Sequence, residues 1–312
     1  MNPSRALSRT AWSMLTAVVV VVSSGALVRA TNSGAGCGES WPRCDQQLFP
    51  IPDSIEQLIE FTHRMLTSGL VIGGIALIVL SYMQLGKSHP VTRAAVIAFG
   101  FLLFESVLGA ALVLFGWVEQ DASIGRLVAV PIHLMNTFAL IAAYALVAWR
   151  AAGRADFSIS NAGHRGRVLV VGAGILVLIA AIGSLNALAD TLFPAESIAS
   201  AITEEFGSTA PILLKIRVLH PIVAIGGSIG IVFIIRYLDV GMSRSTRKRG
   251  WMIMGIIGLQ FVVGLANIAL LTPVEIQVFH LVIADLLWIA YLFYMFAATT
   301  RRVADNVIEV PV

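Results

Sequence analysis

Residues 167–188 read RVLVVGAGILVLIAAIGSLNAL, and only the first of them is charged. A helix needs about 20 apolar residues to cross the hydrocarbon core of a bilayer. Backbone N–H and C=O groups must pair with each other in lipid, so this stretch is expected to be helical. Seven further apolar stretches follow the same pattern, at 12–31, 63–84, 93–116, 129–149, 213–238, 251–272 and 276–298. The sequence therefore predicts an all-α integral membrane protein with eight transmembrane helices.

The composition excludes an ordinary soluble domain, because 57% of the residues are hydrophobic and 12% are charged, against about 25% charged in soluble proteins. Fifteen of the 21 Lys and Arg residues fall in one alternate set of connections. The positive-inside rule then predicts a multi-pass protein of the cell membrane with both termini cytoplasmic. The net charge of +3 reflects this loop asymmetry and does not indicate nucleic-acid binding. The stretch 12–31, which follows Arg5 and Arg9, also has the form of a cleaved signal peptide.

Four short motifs recur in the same order in the two halves of the chain, at an offset that falls from 158 to 147 residues. They are Gly25-Ala with Gly183-Ser, His63 with His220, Glu105-Ser-Val-Leu-Gly109 with Gln260-Phe-Val-Val-Gly264, and His133-Leu with His280-Leu. Four helices per half make a parallel repeat, with a pseudo-twofold axis along the membrane normal. We predict two four-helix halves, residues 1–150 and 167–312, joined by a basic cytoplasmic linker at 151–166.

Four of the six histidines lie on apolar helices, near the outer membrane face. His63 and His133 could face each other in the first half, and His220 and His280 in the second. Two facing imidazoles in a four-helix bundle suit axial ligation of a haem iron. Alternatives are interhelical hydrogen bonds, a zinc or copper site, and a proton relay. A zinc or copper site needs further ligands, and a relay needs ionisable groups across the whole membrane. We favour two haem sites.

The second helix is expected to begin before its apolar part, because Ser54 with Gln57 has the form of a capping box. Glu60 then lies on the same helix face as His63, three residues away. A carboxylate beside a haem edge can act as a base or capture a developing cation. The alternative is a first-turn residue that the helix dipole favours.

The second half has a guanidinium at the position of that carboxylate, since Arg217 precedes His220 by three residues. A guanidinium suits a haem propionate, although an interfacial anchor is the alternative. The sequence thus predicts one reactive site and one electron-transfer site. Other basic residues near the outer face are candidate propionate contacts: Arg29, Arg64, Arg126 and Lys215.

Other polar residues carry weaker predictions. The two cysteines, Cys37 and Cys44, lie in the first external loop, where the oxidising environment allows a disulfide. That disulfide would be either a structural staple or a dithiol that passes electrons. Glu105 and Asp285 lie inside the membrane, where an acidic residue is costly. We expect both to support packing or neighbouring groups, because Gln260 replaces Glu105 in the repeat and Asp285 has no acidic counterpart.

Three motifs together resemble haem A synthase over nearly the whole chain. Gly25-Ala-Leu-Val-Arg-Ala-Thr-Asn-Ser-Gly34, followed by Cys37 and Trp41-Pro42-Arg43-Cys44, is similar to the first helix and loop of that family. Ile59-Glu60-Phe61-Thr62-His63-Arg64 resembles its second-helix motif, and Arg217-Val-Leu-His220-Pro221 with His280 completes the set. The chain departs from the family pattern at Glu105, where a Gln is expected. It also lacks, at 189–211, the second cysteine pair of some relatives.

The resemblance implies oxidation of the C8 methyl group of haem O to the formyl group of haem A, for terminal oxidases. His63 and His133 would bind the haem O substrate, Glu60 would be the catalytic carboxylate, and His220 and His280 would hold a haem b cofactor. It also implies a Cys37–Cys44 disulfide. Expected partners are the lipid bilayer, a haem O synthase (protohaem farnesyltransferase) and an unidentified electron acceptor. The alternatives are a dihaem b-type cytochrome that leaves haem unaltered and a transporter with a parallel repeat.

Overall fold

The computed structural model describes residues 3–205, 207 and 211–300, and these residues are almost entirely helical. The helices are α1 (Arg5–Ala30), α2 (Ile55–Leu85), α3 (Pro90–Leu114), α4 (Ile124–Ala151), α5 (Gly163–Leu192), α6 (Ile198–Glu205), α7 (Ile212–Leu238), α8 (Arg244–Ala269) and α9 (Val274–Ala298). All of them except the short α6 are long and apolar enough to span a membrane, which confirms the eight predicted spans. Residues 301–312, the end of the predicted second half, lie outside the described residues.

Most helices begin several residues before the predicted apolar stretches. The helix α1 begins at Arg5 because the Ser4 hydroxyl accepts a hydrogen bond from the Leu7 N–H at 3.1 Å. The helix α8 begins in the same way after Ser243, seven residues before the predicted start. The apolar stretch marks where the helix lies in lipid, whereas the capping residue decides where it starts. Length and hydropathy therefore place the spans but not their ends.

The predicted capping box of α2 is half correct. The Ser54 hydroxyl accepts the Gln57 N–H at 3.1 Å, so α2 begins at Ile55 as expected. The Gln57 side chain, however, accepts the N–H of Asp53 at 2.9 Å and not that of Ser54. The Gln57 amide also donates to the carboxylate of Asp45, so this first turn is tied to the preceding loop as well.

The long helices pack as two groups of four. In the first group α1 packs on α2, α2 on α3, α3 on α4 and α4 back on α1; in the second, α5, α7, α8 and α9 pack in the same cyclic order. The groups meet through α1 and α4 on one side and α5 and α9 on the other. This arrangement is compatible with the predicted pseudo-twofold axis, because α1 and α4 are the repeat equivalents of α5 and α9.

The connection between α4 and α5 is anchored to the end of α9. The ring of Phe157 stacks on Phe296 with centroids 4.5 Å apart, and the Ser158 N–H donates to the Thr299 carbonyl at 3.1 Å. A short 3-10 turn, Ser160–Ala162, then leads into α5. The segment predicted as a linker is therefore packed against the bundle. Its basic composition did not predict this packing.

Candidate functional site

His63 is held by α1, the neighbouring helix in the first half. A hydrogen bond of 2.7 Å joins its Nδ1 to the Ser24 hydroxyl. Its ring packs on Gly25, where a Cβ would lie only 3.1 Å from the ring Cε1. With Nδ1 engaged, Nε2 is the ring nitrogen available to a ligand. A polar partner on the second nitrogen is the usual support of a metal-ligating histidine.

His133, on α4, approaches a polar cluster that spans α3 and α4. Its Nδ1 lies 3.5 Å from the Glu105 carboxylate. That carboxylate accepts hydrogen bonds from the Asn136 amide, at 2.5 Å, and from the Thr137 hydroxyl. Glu105 therefore makes interhelical hydrogen bonds beside a histidine, as the sequence predicted for it. The side chains of His63 and His133 are close enough to interact electrostatically.

The second half repeats this packing with different polar contacts. A Cβ at Gly183 would lie 2.8 Å from the Cε1 of His220, and one at Gly264 would lie 3.1 Å from that of His280. The Gln260 amide donates to Nε2 of His280, with the two nitrogens 3.1 Å apart. This contact uses the nitrogen that iron would take, so ligation there requires Gln260 or the ring to rotate. His220 and His280 also interact electrostatically.

The four histidines share one arrangement, in which each imidazole packs against a glycine of the adjacent helix. The glycines of the two halves occupy the repeat-equivalent positions: Gly25, Gly109, Gly183 and Gly264. Within the described part of the chain, no group of three His, Cys, Asp or Glu side chains could hold a bare metal ion. Paired imidazoles without further protein ligands fit an iron whose remaining ligands come from a porphyrin.

Glu60 lies one turn from His63 and is buried, with 3% of its surface exposed. One carboxylate oxygen accepts the Cys37 N–H at 2.8 Å. The other accepts from Arg64, whose Nη2 is 2.5 Å away. The same guanidinium donates to the carbonyls of Ser40 and Arg43. Glu60 and Arg64 therefore fasten the loop between α1 and α2 to α2, a connection that the sequence did not reveal.

The loop between α1 and α2 is closed by a disulfide between Cys37 and Cys44, both of which are buried. Its approach to α2 is tight, because a Cβ at Gly36 would come within 2.5 Å of the backbone of Glu56. A residue with a side chain would push the loop off the first turn of α2. The Cys37 N–H that binds Glu60 is therefore positioned both by the disulfide and by this contact.

Arg217 takes the place of Glu60 in the second half and has a different set of partners. Its Nε lies 3.0 Å from the carboxylate of Asp190. Its Nη2 donates to the carbonyls of Ala189 and Phe193, at the end of α5. A propionate contact at Arg217, predicted from the sequence, would have to form beside or in exchange for these bonds.

The other predicted propionate contacts differ in how far they are engaged. Arg126 is buried and donates to the carbonyls of Glu119 and Asp121, while its Nε has no hydrogen-bond partner among the described residues. Arg64 is bound to Glu60 and to the loop between α1 and α2, as described above. Lys215 is exposed on the first turn of α7. Propionate binding by these residues stays a prediction.

Two further polar side chains contribute to the site or its frame. The sequence did not single out Ser24, whereas it offered Arg29 as a propionate contact. The Ser24 hydroxyl forms a hydrogen bond with His63. The repeat-equivalent residue of Ser24 is Ile182, so a comparison of the halves would have shown a polar residue at this position in the first half and an apolar one in the second. Arg29 connects the halves by donating to the Ala187 carbonyl at 2.6 Å and to the Gln277 side chain at 3.1 Å. No sequence pattern pairs α1 with these residues.

Asp285 lies on α9. It is fully buried, and neither carboxylate oxygen has a hydrogen-bond partner among the described residues. The sequence predicted a supporting role in packing or beside the site, and that role stays a prediction.

Comparison with known proteins identifies the family. The family model described as COX15-CtaA, cytochrome oxidase assembly protein, matches residues 8–292. The chain belongs to this family. Its resemblance to haem A synthase is thereby confirmed, together with its nature as a multi-pass membrane protein. Haem binding is a property of this family that the paired histidines fit.

Individual relatives of this COX15-CtaA family member differ in length and name. The chain is 38% identical over 298 residues to a protein named protohaem IX farnesyltransferase in Thermus thermophilus, and the match covers 95% of the chain but 49% of that relative. The chain thus spans about half the length of that relative. It is 36% identical over 116 residues to the haem A synthase of Lysinibacillus sphaericus, or 37% of the chain and 38% of the relative. It is 41% identical over 108 residues to the haem A synthase of Listeria welshimeri, and that match covers 34% of the chain and 35% of the relative.

Proposed function

We propose that the protein is a haem A synthase, which oxidises the C8 methyl group of haem O to a formyl group by successive hydroxylations. The observation that carries this proposal is the asymmetry of the repeat. Each half has two histidines packed on equivalent glycines, but only the first half has a carboxylate one turn from its first histidine. A protein that only transfers electrons through two haems, the alternative function, needs no such carboxylate.

The two halves divide the work in this proposal. Residues 1–150 bind the substrate haem O between His63 and His133, and residues 167–312 bind haem b between His220 and His280. The haem b supplies a one-electron redox centre in the membrane. The protein's own contribution is to orient each imidazole and to keep lipid and water away from the substrate's edge.

Glu60 is the residue proposed to act on the substrate. Its carboxylate can accept a proton or stabilise a developing positive charge at the methyl carbon. The Cys37 N–H and the Arg64 guanidinium fix its orientation, because together they contact both oxygens. Ser24 and Glu105 would hold the imidazoles of His63 and His133 in the orientation that directs Nε2 towards iron.

The cellular setting follows from charge and from the relatives. The distribution of Lys and Arg supports a place in the cell membrane with both termini cytoplasmic and the disulfide loop outside. A haem O synthase would supply the substrate, and an electron acceptor, unidentified so far, would receive the electrons. The Thermus relative, about twice as long and named protohaem IX farnesyltransferase, supports an association with haem O synthesis.

The deciding experiment is co-expression with a haem O synthase in a host that makes no haem A. Pigment extraction and chromatography should then yield haem A or its hydroxylated intermediate. Cells that carry the haem O synthase alone are the control and should accumulate haem O. Haem O as the sole product beside well-folded protein with a haem b spectrum would contradict the proposal and favour the dihaem cytochrome.

A further inference from the structure

One guanidinium of the first half binds three groups of the second half. Arg29, in the last turn of α1, donates from Nη1 to the Ala187 carbonyl and to the Thr191 hydroxyl, both on α5 and both at 2.6 Å. Its Nη2 donates to the side chain of Gln277 on α9 at 3.1 Å. A single side chain of α1 therefore fastens both of the helices through which the second half meets the first.

The place of Arg29 in the repeat accounts for this reach. Ala187 is the repeat equivalent of Arg29, at the same offset of 158 residues that relates Gly25 to Gly183. A residue that contacts its own repeat equivalent lies beside the axis that relates the halves. An arginine in both halves would bring two like charges together there, and the second half has an alanine instead. The first half alone therefore supplies the cation at this point.

Arg29 also belongs to a row of charges that leads to the first histidine of the second half. It interacts electrostatically with Asp190, whose carboxylate lies 3.0 Å from the Nε of Arg217. Asp190 is 8% exposed, and charges that are shielded from water are screened only weakly by salt. Arg217 lies on α7 one turn before His220. The charge of Arg29 is therefore linked to the surroundings of His220.

The third acceptor of Arg29 leads to the other histidine of the same pair. Gln277 precedes His280 by three residues and lies on the same face of α9. The Gln277 amide donates in turn to the Thr272 carbonyl, at 2.7 Å, in the connection that precedes α9. Arg29 thus reaches a neighbour of each histidine in the second half, through Asp190 on one side and Gln277 on the other.

We propose that Arg29, although it lies on α1, acts on the second-half site, where its positive charge raises the midpoint potential of the haem b held by His220 and His280. Ferric haem carries one more positive charge than ferrous haem, so a nearby cation favours the reduced form. The inference rests on the proposed function, because that assigns haem b to the second half. Arg29 also lies one turn from Gly25, against which His63 packs, so one side chain connects the two sites.

The charge of Arg29 can be separated from its hydrogen bonds. If Arg29 only held the helices together, it would act through its bonds to α5 and α9, and every substitution that breaks them would have the same effect. If it sets the potential, it acts through its charge. Lysine keeps that charge but lacks the planar fork that binds several acceptors at once.

The test measures the midpoint potential of haem b in Arg29→Gln and Arg29→Lys. Both are made in a His63→Ala background and in cells without haem O synthase, so that the second-half site gives the signal. We expect Arg29→Gln to lower the midpoint by about three- to tenfold in the redox equilibrium, or roughly 30–60 mV for one electron. Arg29→Lys should show less than half of that shift.

The matched control is Arg9→Gln, which removes the same charge from the other end of α1. Arg9 is exposed and lies about 30 Å from Arg29 along the helix, so its loss should leave the midpoint unchanged.

An unchanged midpoint in folded Arg29→Gln would overturn the proposal. Equal shifts in Arg29→Gln and Arg29→Lys would overturn it too, because the bonds and not the charge would then matter. If Arg29→Gln loses its haem b, Arg29→Lys decides: haem b at the wild-type midpoint supports the proposal, whereas loss of haem b makes Arg29 a structural staple. Conversion is assayed separately. If the midpoint shifts as expected but wild-type protein makes no haem A, the proposed function fails while the role of Arg29 stands.

Discussion

The two halves of the protein use the charged residues beside their first histidine in different ways. In the first, Glu60 and Arg64 belong to the same helix and hold the disulfide loop by its backbone. In the second, Arg217 pairs with Asp190 and binds the carbonyls at the end of α5. The first half thus has a carboxylate one turn from its histidine, and the second has a guanidinium tied to its own frame. Duplication preserved the histidines and glycines while the neighbouring charges diverged.

The histidines themselves differ in which nitrogen is engaged. In the first half, Ser24 and Glu105 lie at Nδ1 of His63 and His133. In the second, Gln260 donates to Nε2 of His280. Among the described residues, Nε2 of both first-half rings has no hydrogen bond, as the proposed exchange of haem O would require. In the same proposal, haem b would displace the Gln260 contact once, when it is first inserted.

The largest expected effect is the loss of bound haem b, and it should follow from replacing the histidines of the second half but not His63. His220→Ala and His280→Ala should each abolish the low-spin haem b absorption of the purified protein, because each removes an axial ligand. His63→Ala should retain that absorption and lose only haem O binding. His164→Ala, in the first turn of α5 and away from both histidine pairs, is the control and should match wild type. An unchanged spectrum in His280→Ala would place the cofactor elsewhere.

The second-largest effect is expected on the conversion of haem O. It concerns Glu60, whose repeat-equivalent position in the second half holds Arg217. Glu60→Gln keeps an acceptor for the Cys37 N–H but removes the charge, and we expect conversion of haem O to fall about 100-fold or more. The haem b absorption should persist. Asp190→Asn, which alters the acid of the second half, should leave conversion within a few-fold of wild type. Near-normal conversion in Glu60→Gln would show that Glu60 only anchors the loop.

A smaller effect is expected from the hydroxyl that orients His63. Ser24→Ala removes its hydrogen bond to Nδ1, and we expect haem O affinity to fall about tenfold, as for other lost partners of ligating histidines. Ser23→Ala is the matched control, because that hydroxyl bonds only to the Val19 carbonyl of its own helix. Absorbance titration measures both. Equal affinities in the two variants would mean that packing on Gly25 alone positions the ring.

The smallest effect on conversion is expected from the disulfide, which has no counterpart in the second half. Cys37→Ser with Cys44→Ser should lower the free energy of unfolding by about 2 kcal/mol, seen as a lower melting temperature. Conversion should stay near wild type at temperatures where the variant is folded, because Glu60 and Arg64 still hold the loop. Loss of conversion without loss of stability would instead assign the cysteines a redox role.

The spans followed from the sequence, and so did the prediction that the histidines pair as ligands within each half. Eight apolar stretches of membrane-crossing length have no alternative to helix in lipid, and a repeated histidine on such helices requires a partner. The repeat also contained the glycines that the structure places against each imidazole. These features were visible because they depend on residue type and on spacing along one helix.

Other features depended on contacts between residues far apart in the chain. The contact between Glu60 and the Cys37 N–H joins residues 23 positions apart, and Arg29 binds a carbonyl 158 positions away. The sequence by itself determined the helices and which histidines can pair. Only the tertiary structure decided which polar atoms meet and where space remains, because both depend on how side chains from different helices fit together.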